Sequence, residues 1–283
     1  MDYWDPWVAV HDDELDGRFH SNTEINVRQS NGIKPKFRGK VTTSSYEINT
    51  SGSPFLDEKA VFLGGLETGV KAINLPKHFL PFESDTTIGE EQMQRFEDET
   101  RIVFRGDGTF SWEVLKGNGG DGHRKLPQKA FYIIGKKGRP LHVEGVVRGK
   151  VLVYSPSKII IDGDLTYAHH PEVSFAADDY LGLVSKKDIE VGPPAATGPG
   201  DLYIFASIYA RGRFRVKDRR GNNDATMYIY GSLTAGSLSA TEPRYATHVR
   251  FDKRLEQNRP PSFPMTDRFE VTDWNQKWEV KGN

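Results

Sequence analysis

From Leu141 the chain reads LHVEGVVRGKVLVYSPSKIIIDGDLTYA. Within it lie Val143-x-Gly145, Val147-x-Gly149-x-Val151-x-Val153 and Ile159-x-Ile161-x-Gly163-x-Leu165. The theme returns in Ile189-x-Val191, Ile204-x-Ala206-x-Ile208-x-Ala210 and Ile229-x-Gly231-x-Leu233-x-Ala235. Small or apolar residues alternate with polar ones, which is the period of a strand with one buried face. Gly or Asp breaks each run after a few residues, so every strand is short. Short one-faced strands bury their apolar side by stacking on equivalents one coil away, roughly 20 or more residues along the chain. The pattern predicts an all-β right-handed parallel β-helix with Val151, Ile159, Leu183, Ile189, Ile208 and Ile229 in axial stacks. The competing architecture is a sandwich or barrel of antiparallel hairpins, which would use the turns Asn31-Gly32, Asp107-Gly108 and Asp162-Gly163. Asp107-Gly108 sits between strand runs at 101–105 and 109–113 and predicts a hairpin. From Leu141 onward the alternation favours the solenoid.

The remaining text divides around this core. Residues 1–50 repeat the strand theme, with runs at 7–10, 24–27 and 40–43, and read as N-terminal coils. Residues 51–140 break it with Ser53-Pro54, Leu75-Pro76 and Leu80-Pro81, and read as an inserted α+β excursion. Its one helical pattern is 88–100, where Ile88, Met93 and Phe96 fall near one face. Residues 141–240 form the main coils. Residues 241–283, with Arg259-Pro260-Pro261-Ser262-Phe263-Pro264 and Trp274 and Trp278, read as an aromatic, proline-rich cap over the last coil.

Composition excludes several chemistries. The chain has 283 residues and no cysteine, which removes disulfides, zinc ribbons, thiol catalysis and iron–sulfur clusters. Its 38 Lys plus Arg nearly cancel 39 Asp plus Glu, so no global field would attract nucleic acid. The run Lys217-Asp218-Arg219-Arg220 is interrupted by an acid and reads as a solvated turn. No stretch approaches the roughly 20 apolar residues that span a bilayer.

Several segments resemble one family. They are DGRFHSN, FRGKVTTS, GxVxGKVLVYSxxxIIIDGDLxY, DYLGLVSKKDIxV, YxTxVxFDKRL and the PPxFP ending. Together they are similar to the soluble parts of PilX-like proteins linked to bacterial type IV pilus assembly, over about 8–50 and 141–278. The resemblance implies a β-helical body behind a prepilin-type hydrophobic helix. It implies an extracytoplasmic location at the cell surface, pilus or periplasm, and pilus or surface-assembly subunits as partners, with glycan as a further contact. The leader and the hydrophobic helix are absent from this sequence, so membrane attachment is expected only through such a helix.

β-Helices also host polysaccharide lyases and hydrolases, which need carboxylates clustered on one face. The candidates are Asp162 with Asp164 and Asp178 with Asp179, beside Arg148 or Lys150. Asp162 and Asp164 share a face if they lie on one strand, and cap amides if they form a corner. The corner is the reading favoured. His169-His170 with Glu172 has the wrong spacing for metal ligands on one face and reads as a loop, and no metal or cofactor is expected. His20-Ser21 has no third partner in the sequence that would make Ser21 a nucleophile. The loop 117–122 lacks the Lys-Ser/Thr ending of a phosphate cradle and reads as a flexible tip. Asn49-Thr50-Ser51 matches a glycosylation sequon. Trp112, Trp274 and Trp278 are candidate docking or sugar-stacking residues, with capping as the alternative role. The expected function is structural or adhesive and non-catalytic, with a carbohydrate-active or glycan-binding β-helix as the alternative.

Overall fold

The structure is a computed structural model and describes residues 1–50, 53, 56–76, 88–174, 177–220 and 225–265. It is predominantly β. The strands in chain order are β1 (Asp13–Asp16), β2 (Phe19–Ser21), β3 (Lys36–Phe37), β4 (Val41–Thr43), β5 (Leu66–Glu67), β6 (Met93–Arg95), β7 (Glu99–Arg105), β8 (Thr109–Lys116), β9 (Gly122–Lys125), β10 (Phe131–Ile134), β11 (Leu141–Val147), β12 (Lys150–Ser155), β13 (Ile159–Tyr167), β14 (Tyr180–Ser185), β15 (Ile189–Val191), β16 (Leu202–Val216), β17 (Ala225–Leu238) and β18 (Tyr245–Phe251). Two single-turn helices, α1 (Glu58–Val61) and α2 (Pro194–Thr197), sit between them.

Fifteen of these strands form one large sheet. Its strands pair in parallel, except at the β7–β8 and β8–β9 hairpins. The apolar residues read from the sequence fall into register. Leu141 lies opposite Ile159, Ile159 opposite Ile189 and Ile189 opposite Phe214. Val153, Leu183, Ile208 and Leu233 make a second column. A third runs Gly145, Leu165, Ile204, Ile229, Val249, Leu15, Phe37, Phe62. Neighbouring strands stand roughly 4.8 Å apart, so each column is an unbroken apolar stack. The stacking leaves no room for side chains at some bends. A Cβ on Gly145 would lie 2.1 Å from the Phe104 carbonyl oxygen, and its φ of 107° is one that glycine adopts without strain.

The third column exposes an order that the sequence conceals. The first strands stack on the last among the described residues: β1 pairs with β18 on one side and β3 on the other. Asp2 and Tyr3 also donate to the carbonyls of Ala235 and Gly236. β18, near the start of the stretch expected to cap the final coil, therefore lies inside the stack. Beyond β18 the chain turns back along the outside. Arg254 is held by Asp252 at 2.7 Å and stacks over the Tyr180 ring at 4.4 Å. A Cβ on Gly182 would touch Pro260 and Phe263, so the proline-rich segment flanks β14. Its ring joins an outer cluster of Tyr132, Ile134, Leu152, Tyr154, Val184 and Tyr209. With core on one face and this cluster on the other, β10, β12 and β14 are covered twice. Double coverage explains why FYII, VLVY and LGLV are continuous apolar runs.

Three further expectations are corrected. Residues 88–100 form no α-helix: Glu90–Gln92 is a 3-10 turn, followed by β6 and the start of β7. The apolar positions Met93 and Phe96 satisfy strand burial as well as a helix face, and pairing to β10 decides the outcome. The segment 51–140 is not wholly an excursion: β6, β7 and β10 pair in parallel within the large sheet, while β8 and β9 extend from it as antiparallel hairpins. The runs at 7–10 and 24–27 make isolated bridges, Val10 to Val27 and Asn26 to Asn49, instead of strands. The Asp107-Gly108 hairpin is present, with Gly108 at φ 83° between β7 and β8.

Arg244 ties the bends together. It is 1% exposed, and its guanidinium donates to the carbonyls of Gly192 (2.8 Å) and Lys217 (2.7 Å) and to the Thr197 hydroxyl. Its flat face lies 4.9 Å from the Tyr245 ring centre.

Candidate functional site

The four candidate carboxylates do not converge. Asp162 and Asp164 stand within β13 where its register against β11 shifts, so the strand bends between them. Asp162 is 7% exposed and meets His142 Nδ1 at 2.8 Å. Asp164 is exposed and accepts from the Tyr203 amide at 2.9 Å. One face is not shared, because the bend adds residues to the strand. Asp178 pairs with Lys150 at 2.7 Å. Asp179 is 4% exposed and accepts from the amides of Gly149 and His169 and from His169 Nδ1. It caps a bend, the role anticipated for Asp162-Gly163-Asp164.

Titratable groups do meet on the outer face of β7 and β11. The His142 ring touches Asp162 through Nδ1 and Glu99 through Nε2, at 2.8 and 3.4 Å. Burial lowers the imidazole pKa, but Asp162 and then Glu99 outweigh it, so the net shift is upward. With both nitrogens facing carboxylates, His142 is built to be a cation bridging two strands, and neither nitrogen is free to carry a substrate proton. Beside it Arg101 pairs with Glu144 at 2.6 Å. An open groove of about 640 Å³ follows, lined by Arg101, Ser111, Glu113, Glu144 and residues 119–122. Asp98 holds the glycine loop by accepting from the amides of Asn118 and Gly119. Those amides are therefore occupied, and the loop, read as a flexible tip, is tethered at its base.

Trp112 packs against Phe96 and Phe110 at 5.7 Å each, closing the β6–β8 end of the core. The half-buried ring also lines the groove, so it both closes the core and faces that surface. Trp274 and Trp278 lie outside the described residues, as does Ser51 of the sequon. His169, His170 and Glu172 look three ways: His169 to Asp179, the His170 ring to Tyr230 at 4.8 Å, and Glu172 to Arg250. Among the described residues no cluster of three or more His, Asp or Glu could hold a metal. His20 is engaged by Thr42 and Asn22 at 2.8 Å each, and Ser21 is fully buried.

The sequence reading missed an aromatic ladder. Tyr203, Tyr228 and His248 occupy one outward column of β16, β17 and β18. The tyrosine rings stack at 5.0 Å and 11°, and His248 meets Tyr228 edge-on. Between Tyr203 and Tyr228 the facing ring surfaces are used by each other, which favours cross-strand support over sugar stacking. The recurrence of Tyr203 and Tyr228 twenty-five residues apart was the available signal. Comparison with protein-family models, curated proteins and solved structures finds no match.

Proposed function

We propose that this chain is a structural or adhesive, non-catalytic component of an extracytoplasmic pilus-like or secretion-like surface assembly, built as a right-handed parallel β-helix. The observation that carries the reading is the column from Gly145 to Phe62, which joins β18 to the N-terminal strands while the candidate carboxylates are spent on bends and ion pairs. A rigid rod of stacked strands suits a spacer or docking platform. Contact surface is available on the bends and turns around the N-terminal strands, where Trp7, Tyr46 and Leu63 are 94%, 85% and 52% exposed. Beyond them β5 is the last strand of its three-stranded sheet among the described residues. Partners are other subunits of such an assembly, with glycan as a further contact.

A second reading rests on the groove beside Arg101, Glu113 and Glu144, whose size and polarity suit a glycan. Screening the protein against a polysaccharide panel, scored for binding and for new reducing or unsaturated ends, separates the two. Turnover that Glu113→Gln abolishes would overturn the structural reading. Absence of turnover, together with capture of pilus-type subunits that Trp7→Ala and Tyr46→Ala weaken, is the expected result.

A further inference from the structure

The N-terminal strands do not fill the space beneath them. Between residues 1–20 and the facing parts of β17 and β18 lies a cavity of about 440 Å³. Native interiors are close-packed, and an apolar void of roughly 150 Å³ already takes up small hydrophobic molecules. This one falls in the size range of roughly 300–1,000 Å³ seen for ligand pockets. Trp4, Val8 and Phe19 wall one side, and Leu233, Leu238 and Val249 the other. A polar group interrupts this lining at one end. There Asp13 accepts from the Thr247 amide at 2.9 Å, and Glu242 accepts from the Asp12 amide at 3.0 Å. Arg219 donates to the Glu242 backbone carbonyl and stands exposed, so the polar end reaches solvent.

We propose that this cavity is a binding site for a small amphipathic molecule with an apolar body and a cationic amine head. The apolar walls take the body. Asp13 and Glu242 stand with Arg219 at the head, and His11 meets Glu242 at 3.2 Å; Asp16 and Arg18 also line the cavity and offset each other, so the carboxylates in excess select a donor over an anion. Burial, and then the nearby Glu242 charge, push the Asp13 carboxyl up to about 6, and a bound cation would relieve that cost.

The test uses the full chain and three probes of equal body: octylammonium, octanol and octanoate, each below its micellar concentration. Trp4 fluorescence and titration calorimetry report binding. The expected result is one saturable site for octylammonium, at least tenfold tighter than for octanoate. Asp13→Asn should reduce that preference to less than threefold while octanol binding persists. Ala235→Phe, which fills the void, should abolish binding of all three, with its circular dichroism spectrum checked against the parent. The proposal is overturned if no probe saturates in the parent protein, if octanoate binds as tightly as the amine, or if Asp13→Asn leaves the preference intact.

Discussion

Replacing Gly145 with alanine tests how closely the strands stack. The residue sits in β11 at φ 107°, where a side chain costs about 1–2 kcal/mol in backbone strain. Its new Cβ would lie 2.1 Å from the Phe104 carbonyl oxygen, with the Phe104 amide at 2.9 Å. Both neighbours are backbone, so relief requires β7 and β11 to move apart by about an ångström. Overpacking of that kind adds about 1–3 kcal/mol. The sum is about 2–5 kcal/mol, or a fall in Tm of roughly 4–20 °C for a chain of this size. Gly120 provides the control, because a Cβ there meets nothing within 4 Å. Gly120→Ala should stay within about 0.5 kcal/mol of the parent. Differential scanning calorimetry of the two variants decides. A Gly145→Ala protein that melts within about 2 °C of Gly120→Ala would refute the close stacking and the register behind it.

Other consequences follow from buried polar groups. Arg244→Met strands the Gly192 and Lys217 carbonyls, and should cost about 3 kcal/mol in a urea titration; a loss under about 1 would mean water replaces the guanidinium. Asp179→Ala removes the acceptor for two amides and the His169 ring, and should lower the urea midpoint by the equivalent of about 2–4 kcal/mol, whereas Asp178→Ala should cost under about 1. The pKa of His142 is higher folded than unfolded, so its contribution is complete below about 6.5 and lost as pH rises through the raised value. The stability gap between the parent and His142→Gln should therefore narrow from pH 5.5 to 8.5, and a constant gap would refute the bridging cation. Asp13 is the opposite case: its carboxyl titrates near 3.8 unfolded and about 6 folded, so stability falls as pH rises between them. Asp13→Asn should gain up to about 3 kcal/mol at pH 7 and nothing at pH 3.5, read from denaturant midpoints.

The amino-acid sequence by itself determined the strand text. Alternation at 141–165, 204–210 and 229–235 marks residues whose apolar side must be buried, and the apolar ones are buried, Leu233 only partly. Local chemistry also sufficed for Asp107-Gly108, because a tight turn needs only its own residues and their immediate neighbours. Tertiary structure decided what depends on distant partners. Nothing within residues 13–16 says that their neighbours are 247–250, since parallel pairing carries no local turn signature. Met93 and Phe96 fit a helix face and a strand alike, and β10 selects the strand. Neither Asp162, between Ile161 and Gly163, nor Asp179, between Asp178 and Tyr180, carries a local sign of its role. Only the position of His142 makes one an ion-pair partner, and only the amides of Gly149 and His169 make the other a cap. Periodicity encodes which side of a strand is buried; which strand lies next to it is encoded by the packing of the whole chain.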